Sequence, residues 1–135
     1  MPFVVDASVV VAWALQEIHP TATLALARIE NDQALVPALW WFEVRNGLVI
    51  NERRGRIREA RTSQFLQELA HIDVLIDVTP IETQVLTLAR RHRLTVYDAA
   101  YLDLALRQGL PLATLDMPLA AAARAEGVPL IGAAA

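Results

Sequence analysis

Short apolar runs rich in β-branched residues alternate with helix-length segments along this chain of 135 residues, and the alternation limits the folds open to it. A run that is apolar at every position suits a strand covered on both faces, as in a parallel sheet. The alternation therefore predicts an α/β fold, with a mostly parallel central sheet of four to five strands flanked by helices on both faces. The predicted strands are residues 3–6, 34–36, 74–78, 112–115 and a short one near 130–131.

Apolar spacing and helix-end signals predict seven helices between these strands. They cover residues 7–17, 20–32, 39–53, 57–71, 81–91, 99–107 and 118–126. The side chains expected to face the core are Leu39, Phe42 and Val49 in the third helix, Ile57, Ala60, Phe65, Leu66 and Leu69 in the fourth, and Ile81, Val85, Leu88 and Ala89 in the fifth. From the length we expect one domain over residues 1–135, with 133–135 as a dispensable tail.

The composition excludes several kinds of chemistry. The absence of cysteine excludes disulfides, thiolate nucleophiles and cysteine-held metal sites, and it favours a cytoplasmic location. All 12 basic residues are arginine, which excludes Schiff-base and P-loop mechanisms because both need a lysine. The longest apolar run, residues 9–15, is too short to cross a bilayer, so we expect no membrane span or secretory signal. With a net charge of -3, any nucleic-acid binding needs a local basic patch.

Four acidic residues stand where α/β sheets place their ligand sites. Asp6 and Asp116 follow predicted strands, Asp98 precedes a predicted helix, and Glu43 lies within an apolar run. Taken singly, the three aspartates could be helix N-caps and Glu43 could pair with an arginine such as Arg45 or Arg90. Taken together, carboxylates that converge at one sheet edge repel one another unless a cation is present. Oxygen ligands without cysteine favour Mg²⁺ or Mn²⁺ over zinc.

Two further residues near these acids are open to more than one interpretation. The Ser8 hydroxyl, two residues after Asp6, could satisfy a first-turn N–H or hold a ligand. Asp103 lies five residues after Asp98, about 140° further around a helix, so it shares the face of Asp98 only if Asp98 precedes the regular turns. We therefore treat Asp103 as a possible supporting residue. The three histidines are scattered and are interpreted as surface residues.

Five arginines within nine residues form a basic cluster around Gly55. They are Arg53, Arg54, Arg56, Arg58 and Arg61. The cluster predicts a track for phosphate groups, and the alternative is a solvated surface partly paired with Glu52 and Glu59.

The order and spacing of four segments resemble the PIN-domain ribonucleases, specifically the VapC-type toxins of bacterial toxin–antitoxin pairs. The segments are Val4-Val5-Asp6-Ala7-Ser8, Pro37 through Glu43-Val44-Arg45-Asn46, Tyr97-Asp98-Ala99-Ala100-Tyr101 with the leucines that follow, and Leu112-Ala113-Thr114-Leu115-Asp116. Together these segments extend over nearly the whole chain. The resemblance implies a PIN-like fold and an endoribonuclease that depends on Mg²⁺, for which Mn²⁺ can substitute.

The resemblance also implies which residues form the site and which partners bind. The implied metal ligands and catalytic residues are Asp6, Glu43, Asp98 and Asp116, with the hydroxyls of Ser8 and Thr114 supporting them and Asp103 where relatives often have an acid. The implied partners are an RNA substrate, a second copy of the chain and a small VapB-type antitoxin that inhibits the toxin. The competing hypothesis is a non-catalytic PIN-like interaction module whose carboxylates only cap helices.

Overall fold

A four-stranded parallel sheet forms the centre of the computed structural model, which describes residues 1–132. The strands are β1 (Phe3–Val5), β2 (Ala34–Pro37), β3 (Val74–Asp77) and β4 (Leu112–Ala113), in the spatial order β3-β2-β1-β4. All three strand pairs are parallel, so the predicted α/β fold is confirmed. The fifth strand expected near residues 130–131 is reduced to one bridge, between Leu112 and Leu130, and the predicted tail 133–135 lies outside the described residues.

Seven helices flank the sheet. They are α1 (Ala7–Leu15), α2 (Pro20–Ile29), α3 (Trp40–Arg53), α4 (Glu59–Leu69), α5 (Glu82–His92), α6 (Val96–Gln108) and α7 (Met117–Ala125). None of them is long and apolar enough to cross a membrane by itself. Only α1 and α2 taken together have the length and apolar composition of a membrane span, and they are bent by 94° to each other. Gly109 ends α6 in a left-handed conformation with φ of 64°, which glycine adopts without steric cost.

The strand order decides where a site can form. β1 lies inside the sheet and is fully buried, and residues 34–36 of β2 are buried beside it. Because all four strands run in the same direction, their carboxyl ends meet at one edge of the sheet. Asp6 follows β1 at this edge, and α1 begins at the next residue.

The buried face of α3 differs from the predicted one. Trp40, Val44 and Leu48 face the core, whereas Phe42 is 70% exposed and Val49 is also exposed. Both sets have helical spacing, so periodicity alone does not choose between them. The choice is made where α3 crosses α1: a Cβ at Gly47 would lie 2.7 Å from Val11 Cγ2, so only a glycine permits this approach without a shift.

Three other predictions of burial are wrong, each at an edge or a helix end. The predicted buried strand 74–78 is the edge strand β3, with Leu75 51% exposed and Ile76 also exposed, because β3 has a neighbour on one side only. Ile81 precedes α5 and is exposed, and Ala60 is exposed in the first turn of α4. The other side chains predicted to face inward from α5, Val85, Leu88 and Ala89, are buried as expected.

The orientation of α3 can be tested by truncating two adjacent residues, Leu48 and Val49. We expect Leu48→Ala to lower the free energy of unfolding by about 2–5 kcal/mol, because Leu48 is fully buried and the truncation leaves a cavity. Val49→Ala is the matched control and should change it by about 0.5 kcal/mol or less. Urea denaturation measures both, and equal losses would contradict the observed orientation of the helix.

Candidate active site

An open cavity of about 430 Å³ lies between α1 and α3 at the carboxyl edge of the sheet. The four acids singled out from the sequence all line it: Asp6 after β1, Glu43 in the first turn of α3, Asp98 in the first turn of α6, and Asp116 at the start of α7. Four elements that are distant in the chain thus place a carboxylate around one space. The cavity also has the Ser8 hydroxyl in its wall.

Two hydroxyl groups hold the Asp6 carboxylate. Ser8 Oγ donates to Asp6 Oδ2 at 2.8 Å, and Thr114 Oγ1 donates to the same oxygen at 2.7 Å. Each hydroxyl also accepts a backbone N–H, Ser8 from Leu115 at 3.1 Å and Thr114 from Asp116 at 3.0 Å. These accepted bonds leave each hydroxyl proton free to point at Asp6. Ser8 therefore satisfies a backbone N–H, although that of Leu115 rather than one in the first turn of α1, and it contacts an acid of the site.

The helix-cap alternative applies differently to the three aspartates. Asp116 is a cap, since its Oδ2 accepts the N–H of Leu119 at 2.9 Å. Asp6 occupies the N-cap position of α1 but makes no side-chain capping bond. Asp98 lies inside α6, whose cap is Thr95, with the Asp98 N–H donating to Thr95 Oγ1 at 3.1 Å. Capping therefore explains the position of Asp116 alone.

Glu43 is bonded to a tyrosine rather than to an arginine. The Tyr101 hydroxyl donates to Glu43 Oε1 at 2.7 Å. Arg45, suggested from the sequence as a partner, instead stacks on the Trp41 ring at 3.9 Å from its centroid and donates to the Trp41 carbonyl. Sequence reasoning did not single out Tyr101 for a role at the site, although its place one helical turn after Asp98 was a signal that could have found it.

Burial and mutual repulsion disfavour the charged forms of Asp6, Glu43 and Asp98. Burial raises the pKa of Asp6 despite the two hydroxyl bonds, and burial, then the charges of Asp116 and Asp6, raises the pKa of Asp98 to about 6. Burial also raises the pKa of Glu43, against the opposing bond from Tyr101. None of the four acids forms a salt bridge within residues 1–132. A bound cation would stabilise all four charges at once.

The donor set fits a hard divalent ion that keeps part of its water shell. Within the part of the chain that the structure describes, no three carboxylate or imidazole groups are arranged to hold one metal ion together. Mg²⁺ is commonly bound through one or two carboxylates with water completing its octahedron, so a spread of acids around an open cavity suits it. Two histidines have other partners: His19 Nδ1 accepts the N–H of Thr21, and His92 contacts Glu126.

Asp103 does not lie at the cavity. It is fully buried and accepts hydrogen bonds from Arg107 Nε at 2.9 Å and from Gln84 Nε2 at 2.7 Å. Arg107 also bonds Asp77 at 2.6 Å, so Asp103 belongs to a network that ties α6 to α5 and to the end of β3. The reason is helical geometry: Asp98 is already inside α6, and five further residues turn Asp103 to another face.

The arginine cluster lines two adjacent cavities, and Arg56 lines both of them. Arg54 and Arg56 line the cavity with the acids. Arg58 and Arg61 line a neighbouring cavity, where Arg61 packs against the Phe65 ring and donates to the Ala14 carbonyl at 3.3 Å. Arg61 pairs with Glu68 at 3.6 Å, and neither Glu52 nor Glu59, the partners named in the surface-pairing alternative, forms a salt bridge within residues 1–132. Arg53 is exposed at the end of α3 and lines neither cavity.

Comparisons with known proteins agree with this architecture. The family model described as the PIN domain matches residues 3–125. Ribonuclease VapC3 of Pyrobaculum aerophilum is 36% identical over 124 residues, which cover 89% of this chain and 93% of that protein. The crystal structure of PAE2754 from Pyrobaculum aerophilum is similar with a TM-score of 0.73 and 27% identity, over 97% of this chain and 90% of that one. A toxin–antitoxin complex from Klebsiella pneumoniae shares the fold at a TM-score of 0.54 and 20% identity, over 87% and 93%.

The repulsion among the acids predicts a pH-dependent stability in the absence of metal. Because the pKa of Asp98 rises from 3.8 to about 6 on folding, its protonated form stabilises the fold below about pH 4, and this contribution is lost as the pH rises through 6. In EDTA at pH 7.5, Asp98→Asn should therefore be more stable than wild type by about 1 kcal/mol. This is less than the full pKa shift would imply, because solvent screens the charge of a half-buried group.

The measurement is urea denaturation of both proteins in EDTA from pH 4 to pH 8. The gain from Asp98→Asn should shrink towards zero at pH 4, and Asp73→Asn, which changes an exposed carboxylate outside the cavity, should show no such trend. A gain that is the same at every pH would be inconsistent with a repelled Asp98.

Proposed function

We propose that this chain, which belongs to the PIN domain family, is an endoribonuclease. It depends on a divalent metal ion and hydrolyses RNA phosphodiester bonds. The observation that carries the proposal is the convergence of Asp6, Glu43, Asp98 and Asp116 on one cavity. The relative at 36% identity is named as a ribonuclease, which supports the class of reaction. In this proposal, residues 1–135 form a single PIN domain.

The proposed cofactor is Mg²⁺, for which Mn²⁺ can substitute. Asp6, Asp98 and Asp116 would hold the ion, one or two of them directly and the rest through water of its shell, with Glu43 beside them. When bound, the ion supplies a positive charge that activates water near neutral pH and offsets the charge that builds on the phosphate oxygens. Ser8 and Thr114 orient the Asp6 carboxylate, and the Asp116 bond to the N–H of Leu119 fixes that side chain at the start of α7.

The proposed RNA path runs along the cavity from its acidic end to its basic end. From Glu43 to Arg54 the backbone rises about 16 Å along α3, since each residue of a helix adds about 1.5 Å. Arg54 and Arg56 at that end can bind a phosphate while the acids act on another phosphate of the same strand. The exposed amide of Asn46 lies on the cavity wall between them and can accept or donate hydrogen bonds to the nucleotide. Arg53, Arg58 and Arg61 extend the basic surface beyond the cavity.

The proposed partners are a cognate VapB-type antitoxin that inhibits the chain, which acts as the toxin of the pair, and a second copy of the chain. A structure that shares this fold is a toxin–antitoxin complex, which supports the first partner. The exposed apolar side chains of β3, Leu75 and Ile76, are the kind of surface that a protein partner covers, which supports the second. We place the reaction in the cytoplasm, where cellular RNA is the substrate pool.

The central test is cleavage of a mixed cellular RNA pool by antitoxin-free protein, with Mg²⁺ or Mn²⁺ and with EDTA. Cleavage should need the metal. Asp6→Asn and Asp98→Asn should each lower the cleavage rate by more than about 100-fold, because loss of a metal ligand costs more than loss of a group that only supports one, which costs up to about 100-fold. Asp73→Asn, the same chemical change at an exposed acid, should cleave like wild type.

Two results would reject this function. Equal cleavage by wild type and both variants would mean that the activity comes from elsewhere or from a contaminant. Folded wild-type protein that binds neither Mg²⁺ nor Mn²⁺ would favour the non-catalytic interaction module instead.

The basic end of the cavity can be tested by RNA binding in the Asp98→Asn background, which keeps the RNA intact. Replacing Arg54 and Arg56 together by glutamine should weaken binding and reduce the slope of log K against log salt by about 1.4, since each contact to a single-strand phosphate contributes about 0.7. The matched control replaces Arg90 and Arg93, two exposed arginines outside the cavity. A slope that is unchanged, or changed equally by the control, would remove Arg54 and Arg56 from the RNA path.

A further inference from the structure

Tyr101 is a fully buried polar side chain whose hydroxyl points at one of the four acids. Its ring has no solvent exposure, and its hydroxyl lies 2.7 Å from Glu43 Oε1. The bond joins α6 to α3 across 58 positions of the chain. Tyr101 does not line the cavity, so it reaches neither an ion nor RNA directly, and any effect it has on them passes through Glu43.

The Tyr101 hydroxyl is the donor in this hydrogen bond, since a phenol carries the proton and a carboxylate oxygen accepts it. The backbone amide of Ala7, at the junction of β1 and α1, also lies beside the hydroxyl. The position of the phenol oxygen is therefore fixed by the surrounding core and by the β1–α1 junction next to Asp6.

Glu43 needs such a partner more than Asp6 and Asp116 do. Asp6 has a short side chain and two hydroxyl donors, and Asp116 is held by a backbone N–H. Glu43 has a longer side chain with more rotatable bonds, it is partly exposed, and its near neighbour Arg45 is stacked on Trp41. Ordering such a side chain costs conformational entropy, and a bond to a rigid, buried group offsets that cost.

We propose that Tyr101 is a positioning residue whose hydroxyl holds the Glu43 carboxylate towards the cavity and thereby strengthens binding of the divalent cation. The inference rests on the proposed function, in which Glu43 lies beside the ion. Groups that hold a metal ligand from outside typically contribute about 10- to 100-fold to metal affinity or activity. We expect Tyr101 to contribute about 10-fold, because it makes one hydrogen bond to one of four acids.

The test compares Mn²⁺ binding by four proteins, using the electron paramagnetic resonance signal of free Mn²⁺ in the absence of RNA. They are wild type, Tyr101→Phe, Glu43→Gln and the double variant. Tyr101→Phe should raise the Kd for Mn²⁺ about 10-fold, and it should have no further effect when Glu43 is already glutamine, because the two residues then act as one unit. Tyr97→Phe is the matched control: it changes the other of the two tyrosines, on the same helix but 62% exposed, and should bind like wild type.

A second measurement needs no variant at position 101. With both tyrosines replaced by 3-fluorotyrosine, the ¹⁹F spectrum contains two signals, and the Tyr97→Phe protein assigns them. Adding Mg²⁺ should shift the Tyr101 signal, because an ion beside the Glu43 carboxylate changes the electrostatic environment of the Tyr101 ring. The signal of the exposed Tyr97 should stay nearly unchanged. This readout holds even if Tyr101→Phe is unstable.

The outcomes separate this inference from the function on which it rests. Wild type that binds no Mn²⁺ overturns both. Wild type that binds, with Tyr101→Phe binding equally well, overturns the positioning role and leaves the metal site intact. A loss of affinity that is just as large in the Glu43→Gln background shows that Tyr101 acts by supporting the fold rather than through Glu43, and this also overturns the inference. A thermal melt of each variant shows that folded protein is being compared.

Discussion

The hydrogen bonds from Ser8 and Thr114 to one oxygen of Asp6 are the contact on which the arrangement of the site depends. They join the start of α1 to the segment after β4, and the same hydroxyls accept the N–H groups of Leu115 and Asp116. One buried carboxylate thereby sets the path of the chain that carries a second acid. The parallel sheet makes this possible, since β1 and β4 are neighbours and end at the same edge.

The cost of this arrangement is electrostatic. Burial and mutual repulsion raise the pKa of Asp6, Glu43 and Asp98 together, which is unfavourable for folding at neutral pH. The surrounding core of buried aliphatic and aromatic side chains, from β1, α1 and α6 above all, outweighs it. Such a local penalty inside a well-packed scaffold is typical of a site kept ready for a ligand of opposite charge. The same residues that weaken the metal-free fold are the ones that the proposed function uses.

A second acidic network shows what a purely structural arrangement looks like in the same protein. Asp103 and Asp77 share Arg107, with Gln84 as a further donor, so both carboxylates are paired with a cation of the protein itself. Among the cavity acids, Asp6 has hydroxyl donors, Asp116 an amide donor and Glu43 a phenol donor, and none of the four has a bonded cation among the described residues. The difference between the two networks is the physical reason to assign a ligand to one of them and not to the other.

The apolar pattern of the chain predicts the alternation of strands and helices, and with it the parallel sheet and the edge at which Asp6, Asp98 and Asp116 meet. These are local properties, because a strand run, a helix start and the residue between them are read from neighbours in the chain. Packing in three dimensions selects which of two apolar faces α3 buries, leaves β3 as a half-exposed edge and turns Asp103 away from the cavity. It also decided the partners of the acids: Thr114 reaches Asp6 across 108 positions and Tyr101 reaches Glu43 across 58. Local spacing rules act over about one helical turn or one strand, so contacts of this range are settled by packing alone.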